Sequence, residues 1–143
     1  MTHRRALITG SSGVIGSAIA KQLAQSGHEV ILHAHSNSPT VEELAEQLTA
    51  QGCRASSVQF NLLDTADIQQ KTTDLLHGGP IQIIINNAGR HDDAVMAGMS
   101  YAQWQAPIAI VLDGFFNITQ PLLLPMIRTR WGRIVNISSV AGI

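Results

Sequence analysis

The chain has 143 residues, enough for one domain and too few for two. Apolar residues make up 45%, which suits a globular core, and the formal net charge of −1 gives no overall attraction to nucleic acid or to a membrane surface. The single cysteine, Cys53, excludes an internal disulfide framework and fits a reducing compartment. No uninterrupted apolar run approaches the ~18 residues of a membrane span, so we expect a cytoplasmic protein without a membrane segment.

Short apolar strands alternate along the chain with amphipathic stretches of helical length. Strands are predicted at 5–9, 29–33, 55–60, 81–85 and 134–137. Helices are predicted at 14–25, at 39–50, from 64 to about 76, and over the long stretch 101–128. Gly27 ends the first helix, and Pro39 begins the second at a position where a proline is favourable. Pro107, in the long stretch, removes a backbone hydrogen bond and predicts a kink there.

This alternation indicates βαβ units and a parallel sheet. The continuous apolar strand 81–85 is typical of a sheet buried on both faces. The predicted fold is therefore α/β, a Rossmann-type doubly wound parallel sheet of about five strands with helices on both faces. The last strand would remain an exposed apolar edge, so the sheet is expected to be incomplete.

A glycine-rich turn lies between the first strand and the first helix, where a dinucleotide fold binds phosphate. It contains Gly10, Ser11, Ser12, Gly13, Val14, Ile15 and Gly16. Gly10 can adopt backbone angles closed to other residues, Gly13 lets the backbone approach a pyrophosphate, and Gly16 lets the helix pack closely. The free N–H groups at the helix start would then bind the phosphates.

The end of the second strand indicates which dinucleotide is bound. A site for NAD usually has an acidic residue about 20 residues after the glycines, where it binds the ribose hydroxyls. Residues 32–37 contain no acid, and His35, Ser36 and Asn37 can donate hydrogen bonds to a 2′-phosphate. NADP is therefore favoured over NAD, although no arginine or lysine is present there. The alternative is that these residues, and His33, are exposed polar residues of a loop.

Two further motifs follow the fourth and fifth predicted strands. They are Asn86-Asn87-Ala88-Gly89 and Asn136-Ile137-Ser138-Ser139. Together with the glycine turn and at this spacing, they resemble the short-chain dehydrogenase/reductase family over the whole length of the chain. Within that family the segment 132–142 is most similar to the 3-oxoacyl-[acyl-carrier-protein] reductases.

The resemblance implies a role for several side chains. Asn61 and Leu62 would flank the adenine, and Asn87 would support the fold beneath the cofactor. Ala88 and Gly89 would pass close to the nicotinamide ribose. Ser139 would be the catalytic serine, hydrogen-bonding the substrate carbonyl oxygen as negative charge develops on it.

The sequence also departs from the family pattern in the glycine turn and in the long helix. Val14 stands where this branch usually has glycine, and Gly13 stands where it often has a basic residue. The spacing of Gly10, Gly13 and Gly16 matches sugar-nucleotide enzymes better. In the long helix, Val111 replaces the asparagine that holds a water in the proton relay, and valine can neither donate nor accept a hydrogen bond.

The family's proton donor is a tyrosine with a lysine four residues later, beyond the serine. The only tyrosine, Tyr101, is followed at that spacing by Gln105, and the only lysines are Lys21 and Lys71. We therefore expect residues 1–143 to be a dinucleotide-binding domain truncated before the Tyr-x-x-x-Lys segment.

Other candidates have simpler interpretations. Asp92 and Asp93 could suggest a metal site, but acids that cap a helix are the expected explanation, and no metal is predicted. Trp104, Phe115 and Phe116 are expected in the core or in a subunit interface. The arginines 128, 130 and 133 could contact an acidic carrier protein, or could simply be a solvated helix end.

The expected function is NADPH-dependent reduction of 3-oxoacyl thioesters or related ketones. The substrate would be a small molecule or would be attached to acyl carrier protein, and the complete protein would be a homodimer or homotetramer. One alternative is a non-catalytic module that binds a nucleotide or pairs with a complete subunit, which Val111 favours. A second is a fragment of a sugar-nucleotide epimerase or dehydratase, which the glycine spacing favours.

Overall fold

The computed structural model describes residues 3–36 and 38–139. The strands are β1 (Arg5–Ile8), β2 (Glu29–Ala34), β3 (Ala55–Gln59), β4 (Ile83–Asn86) and β5 (Arg133–Asn136). The helices are α1 (Val14–Gln25), α2 (Pro39–Ala50), α3 (Thr65–His77), α4 (Tyr101–Ile108) and α5 (Gly114–Arg128). Short 3₁₀ and π-helical turns cover Met96–Gly98 and Ala109–Asp113.

The five strands form one parallel sheet in the order β3-β2-β1-β4-β5. β1 is central, with Leu7 opposite Ile31 of β2 on one side and opposite Ile84 of β4 on the other. This is the order of the first five strands of a dinucleotide-binding Rossmann sheet, and it confirms the predicted fold class. Because the chain reverses its direction of winding between β1 and β4, the loops after these two strands border one crevice.

Helices cover both faces of the sheet. On one face, α1 and α2 pack on β1, β2 and β4 through a cluster that includes Ala20, Leu44 and Leu48. On the other, α3 and α5 pack through Ile68, Ile118 and Leu122, and all three are at most 2% exposed. Successive residues of β1 belong to opposite clusters because the side chains of a strand alternate between its faces.

The ends of several helices follow from their sequences. The Asp64 carboxylate accepts hydrogen bonds from the N–H groups of Ala66 and Asp67, so it caps α3 as a residue that precedes the helix. Ser100 and Gln103 form a reciprocal capping box at the start of α4. Both caps satisfy N–H groups that have no partner within the helix.

The predicted long helix is interrupted. α4 ends one residue after Pro107, and the π-helical turn Ala109–Asp113 joins it to α5. Proline lacks the N–H that an α-helix interior uses, and π-helical residues occur mostly as single turns that interrupt an α-helix. The helical pitch therefore changes directly after Pro107, and Val111 lies at the centre of this turn; the kink itself stays a prediction.

The stretch Tyr101–Arg128 is long and apolar enough, by length and composition alone, to cross a membrane. The test based on uninterrupted apolar runs missed it because polar residues and prolines break up those runs. One such helix is weak evidence of a span, and Ile118, Leu122 and Met126 of this stretch are buried in the core of the domain.

The aromatic residues of this stretch are not in the core, so that part of the sequence interpretation is wrong. Trp104 is 50% exposed, Phe116 is 62% exposed and Phe115 is 36% exposed. A place in a subunit interface stays a prediction for all three. The edge strand β5 is exposed on both faces, with Ile134 and Val135 each about 40% accessible, as the sequence predicted.

Candidate functional site

The glycine turn begins directly after β1, with Gly10 at a φ of +66°. A Cβ atom at this position would lie 2.9 Å from the Cα of Ala88, which is closer than real side chains approach. The N–H of Gly13 donates to the carbonyl oxygen of Gly10 at 3.2 Å and closes the turn. Gly10 is therefore required both by its backbone angle and by the close approach of the loop after β4.

Gly16 is required by a second close approach. A Cβ atom there would lie 2.5 Å from the carbonyl oxygen of Gly10 and 2.7 Å from Nδ2 of Asn87. Close packing was predicted at this position, and the structure shows that the neighbour is the turn itself and the loop after β4. A Cβ at Gly13, by contrast, would meet only the Gly10 oxygen, at an ordinary 3.5 Å.

Asn87 joins the loop after β4 to the end of β1. Its Nδ2 donates to the carbonyl oxygens of Thr9 at 3.0 Å and Gly10 at 3.1 Å. The backbone N–H groups of Asn87 and Ala88 both donate to Oγ1 of Thr9, at 3.0 Å each. Thr9 is 2% exposed, and this partly buried set of hydrogen bonds fixes the two loops relative to each other.

His33, at the end of β2, is a second buried support of the turn. Its Nε2 lies 2.9 Å from the carbonyl oxygen of Phe60, and since a carbonyl can only accept, Nε2 carries the proton. Nδ1 then accepts a long hydrogen bond of 3.4 Å from the N–H of Gly10. The His33 ring also contacts the Phe60 ring, with centroids 4.2 Å apart.

The interpretation of His33 as an exposed loop residue is wrong, because the residue is 1% exposed. Burial lowers its pKa from 6.5 to about 4; the hydrogen bond to Phe60 opposes this lowering, and the nearby His35 adds to it. His33 is therefore neutral at physiological pH, which is the state that can accept from Gly10. The sequence signal for this role was its place in the apolar strand, where a polar side chain needs a partner.

A cavity of about 760 Å³ opens above this turn at the carboxyl edge of the sheet. Most of the residues predicted to bind the cofactor line this cavity. They are Gly10, Ser12, Gly13, Val14, Ile15, His35, Asn61, Leu62, Asn87, Ala88 and Gly89. Ser11 and Gly16 lie beneath it: Ser11 is fully buried, and its hydroxyl donates to the carbonyl oxygen of Ile8 at 2.7 Å. Ser36 is exposed outside the lining, and Asn37 lies outside the described residues.

The start of α1 suits a phosphate. No side chain caps the helix at Gly13, and its first turn contains no acidic residue. The first-turn N–H groups have no partner within the helix, and Gly13, Val14 and Ile15 line the cavity at that point. The donor set therefore fits the diphosphate of a dinucleotide, which the helix dipole also favours.

A second cavity of about 850 Å³ adjoins the first and contains Ser138 and Ser139 beyond the end of β5. At its floor, Nδ2 of Asn86 donates to Oδ1 of Asn136 at 2.9 Å and to Oγ1 of Thr119 at 3.3 Å. Among the described residues, Oδ1 of Asn86 is buried without a hydrogen-bond partner. The topology therefore places the predicted catalytic serine beside the predicted cofactor cavity.

Val111 lines the second cavity and is half exposed. The nearby amide of Asn117 does not replace the one that valine lacks, because its Nδ2 donates to the carbonyl oxygen of Leu62 at 3.0 Å. Asn117 thus ties α5 to the loop after β3 and lies in the lining of neither cavity. Asn117 is therefore not in a position to hold the relay water in place of the missing asparagine.

The interpretation of Asp92 and Asp93 as helix-capping acids is wrong. Both lie in an irregular segment, and the following 3₁₀ turn is preceded by Val95. Oδ2 of Asp92 instead lies 3.6 Å from Nη2 of Arg90. Within residues 3–36 and 38–139, no group of three or more histidine, cysteine or acidic side chains could hold a metal ion.

Four residues that line the first cavity were missed by sequence analysis; two follow β4 and two lie on the long helical stretch. They are Arg90, His91, Ala106 and Ile110. Their positions directly after the Asn-Asn-Ala-Gly motif and on the side of the helix facing the crevice were the available signals. Arg90 places a cation in the lining of this cavity, whereas the end of β2 has no arginine or lysine.

The predicted arginine cluster lies near the amino-terminal ends of the strands, whereas the two cavities lie at their carboxyl ends. Arg133 begins β5, whereas Ser139 follows its end. The guanidinium carbons of Arg4 and Arg133 lie 4.3 and 4.8 Å from the centre of the Trp131 ring, so two arginines stack on one indole. Arg130 shares a groove with Trp131 and Arg133.

A family model described as short chain dehydrogenase matches residues 4–143. A 3-oxoacyl-[acyl-carrier-protein] reductase of Aquifex aeolicus is 40% identical over 139 residues, which are 95% of this chain and 55% of that protein. An acetoacetyl-CoA reductase of Cupriavidus necator is 39% identical over 144 residues, 99% of this chain and 58% of that protein.

The crystal structure of a 3-oxoacyl (acyl-carrier-protein) reductase from Agrobacterium tumefaciens C58, which has NADP bound, is 28% identical with a TM-score of 0.86. It is matched over 96% of this chain and 53% of its own chain. The chain therefore spans about half the length of the curated relatives it matches. The matched family model, the sheet order and the placement of the three sequence motifs agree, and the chain belongs to the short-chain dehydrogenase family.

Proposed function

We propose that the protein is an NADPH-dependent reductase of 3-oxoacyl thioesters or related ketones. The observation that carries this proposal is the junction of the two cavities: residues 87–89 line both the cavity over the glycine turn and the cavity that contains Ser139. A dinucleotide on the turn would thus reach the serine. The names of the two relatives and of the similar crystal structure support the same chemistry.

The residues of this chain have separate tasks in that reaction. The turn and the first N–H groups of α1 would hold the diphosphate, His35 and Ser36 would meet the 2′-phosphate, and Asn61 and Leu62 would border the adenine. NADPH supplies the hydride when bound. Ser139 would donate a hydrogen bond to the carbonyl oxygen and so stabilise its developing negative charge.

The proton donor is not among these residues. Tyr101 is 77% exposed and has Gln105 at the position where the family has lysine. We therefore expect this chain alone to bind NADPH and to oxidise it with acetoacetyl thioester no faster than a blank. Turnover clearly above the blank would show that another residue supplies the proton, and it would overturn this assignment of roles. The extent of the domain, residues 1–143 truncated before Tyr-x-x-x-Lys, stays a prediction.

The preference for NADPH over NADH can be tested by introducing a negative charge at the end of β2. We expect NADPH, followed by its fluorescence, to bind at least about tenfold more tightly than NADH. The His35→Asp variant should lose most of this preference, because a carboxylate repels the 2′-phosphate and accepts from ribose hydroxyls. Gln69→Glu, which adds the same charge on an exposed position of α3, should leave the preference unchanged. Equal or tighter binding of NADH to the unaltered chain would contradict the proposal.

The second candidate function is a non-catalytic nucleotide-binding or subunit-pairing module. The lining of the Ser139 cavity by Val111, which can hold no relay water, favours it. Joining residues 1–143, with and without Val111→Asn, to the carboxyl-terminal half of the Aquifex aeolicus reductase and following NADPH oxidation would separate the two candidates. A reductase should turn over and become several-fold faster with asparagine, whereas a binding module should stay inactive in both forms.

Partners and location follow from the same proposal. The exposed apolar residues of α5, Phe116, Leu124 and Ile127, suit a homo-oligomeric interface. An acidic carrier protein would be attracted by Arg130 and Arg133, although they lie at the sheet edge opposite Ser139. A cytoplasmic location and a substrate carried on acyl carrier protein complete the proposal.

A further inference from the structure

We propose that Arg90, assisted by His91, forms an anion-binding position where the two cavities meet, for a phosphate or carboxylate group of a bound ligand. This inference rests on the proposed dinucleotide site, and it adds a residue that the motifs do not assign. Both side chains line the cavity over the glycine turn and the cavity of Ser139.

The charge of the two linings carries the argument. Among the described residues that line either cavity, Arg90 is the only aspartate, glutamate, lysine or arginine. The lining therefore offers an anion a guanidinium and no carboxylate. Arginine presents a planar set of donors that matches phosphate and carboxylate oxygens, and an imidazole beside it can add a further hydrogen bond.

Arg90 is not committed to holding the fold together. Its only ion pair among the described residues is the contact of 3.6 Å with Asp92, and its side chain is 57% exposed. Exposed pairs of this kind contribute little to stability. Asp92 and Asp93 follow directly in the sequence, but neither lines a cavity, so the two acids lie outside the crevice that the guanidinium borders.

Two ligands could supply the anion, and binding measurements distinguish them. If the anion belongs to the cofactor, titration of NADPH reports it. If the anion belongs to the substrate, titration of acetoacetyl-CoA in the presence of saturating NADPH reports it. We expect Arg90→Gln to weaken one of these affinities by about fivefold or more, with a reduced dependence on salt, and Arg90→Lys to restore part of the loss. Arg54→Gln, which removes an exposed arginine at the opposite sheet edge, should change neither.

Asp92→Asn is expected to raise the ligand affinity that Arg90→Gln lowers. Removing the carboxylate frees the guanidinium for the ligand, so the affinity that Arg90→Gln lowers should rise several-fold. If the ion pair served only to order the segment, the two variants would weaken binding together. That result, or unchanged affinities for both probes in Arg90→Gln, would overturn the proposal.

A third probe keeps this inference separate from the proposed function. Inorganic phosphate is titrated while the ¹⁵N resonances of the Arg90 side chain and of the backbone at residues 89–91 are followed. If the chain binds no NADPH, the proposed function fails, but phosphate should still shift these resonances and should do so more strongly in Asp92→Asn. No shift at the Arg90 side chain with any of the three probes would disprove the anion position.

Discussion

Replacing Gly16 by alanine is expected to weaken NADPH binding at least tenfold and to lower the free energy of unfolding by about 2 kcal/mol. The added Cβ would lie 2.5 Å from the Gly10 carbonyl oxygen and 2.7 Å from Nδ2 of Asn87, so one of them must move. Either movement breaks the hydrogen bond between them, which is 3.1 Å long in the native turn. Alanine also favours helix by about 1 kcal/mol relative to glycine, which offsets part of the cost of overpacking.

Gly13→Ala is the matched control in the same turn. Its Cβ would meet only one atom, at 3.5 Å, and Gly13 has a negative φ, so the melting temperature should stay within about 2 °C of the unaltered chain. Its cofactor affinity should nevertheless fall, since the methyl group would occupy space above the turn. If Gly16→Ala melted and bound like the unaltered chain, the close approach of α1 to Asn87 would not be required for the site.

The second large effect is a dependence of stability on pH that originates at His33. The pKa of this histidine is about 4 in the folded chain against 6.5 when unfolded, so the unfolded state binds more protons between these values. The stability that His33 contributes is therefore fully present above pH 6.5 and is lost as the pH falls toward 4. The stability lost between pH 6.5 and pH 4 amounts to roughly 3 kcal/mol.

Comparison with His33→Gln isolates this contribution. The variant cannot titrate here, and it should be less stable than the unaltered chain at pH 7.5, because the paired imidazole is lost. This deficit should shrink steadily between pH 6.5 and 4.5 in urea unfolding experiments. A deficit that stays constant over this range would contradict the assignment of a buried neutral imidazole.

Protonation of His33 should also affect the site. A proton on Nδ1 removes the acceptor for the Gly10 N–H and places a charge beneath the turn. Cofactor affinity and stability should therefore decline over the same range of pH. The resemblance to the family did not indicate this coupling, since it depends on the contact of β2 with the turn and with Phe60.

Local sequence signals were sufficient for the helices with strong boundaries. α1 and α2 begin and end at the predicted residues. Gly27 lies two residues after the end of α1 and Pro39 is the first residue of α2, so both signals act close to the boundary that they mark. The strands differ by one or two residues at their ends; β4, for example, begins at Ile83 and not at 81. A strand ends where its neighbour stops pairing, and that neighbour is distant in the sequence.

The candidate site likewise has parts that local sequence signals predict and parts that depend on distant segments. The glycine turn, the Asn-Asn-Ala-Gly segment and Ser139 were recognisable from residue type and spacing. Their convergence could be anticipated only because parallel strands bring their carboxyl ends to one edge. The partners of His33, the contact of Gly16 with Asn87 and the position of Arg90 between the cavities could not be predicted, since each is a relation between segments more than 20 residues apart.

By itself, the sequence determined the order of strands and helices, the sheet class, the family and the absence of a Tyr-x-x-x-Lys pair from these 143 residues. Those properties depend on hydrophobic periodicity and on short motifs, which act over a few neighbouring residues. Only the tertiary structure decided that His33 is buried, that Asp92 pairs with Arg90 and caps no helix, and that Val111 lines the same cavity as Ser139. Burial and contact depend on which segments the sheet brings together, and no local pattern contains that information.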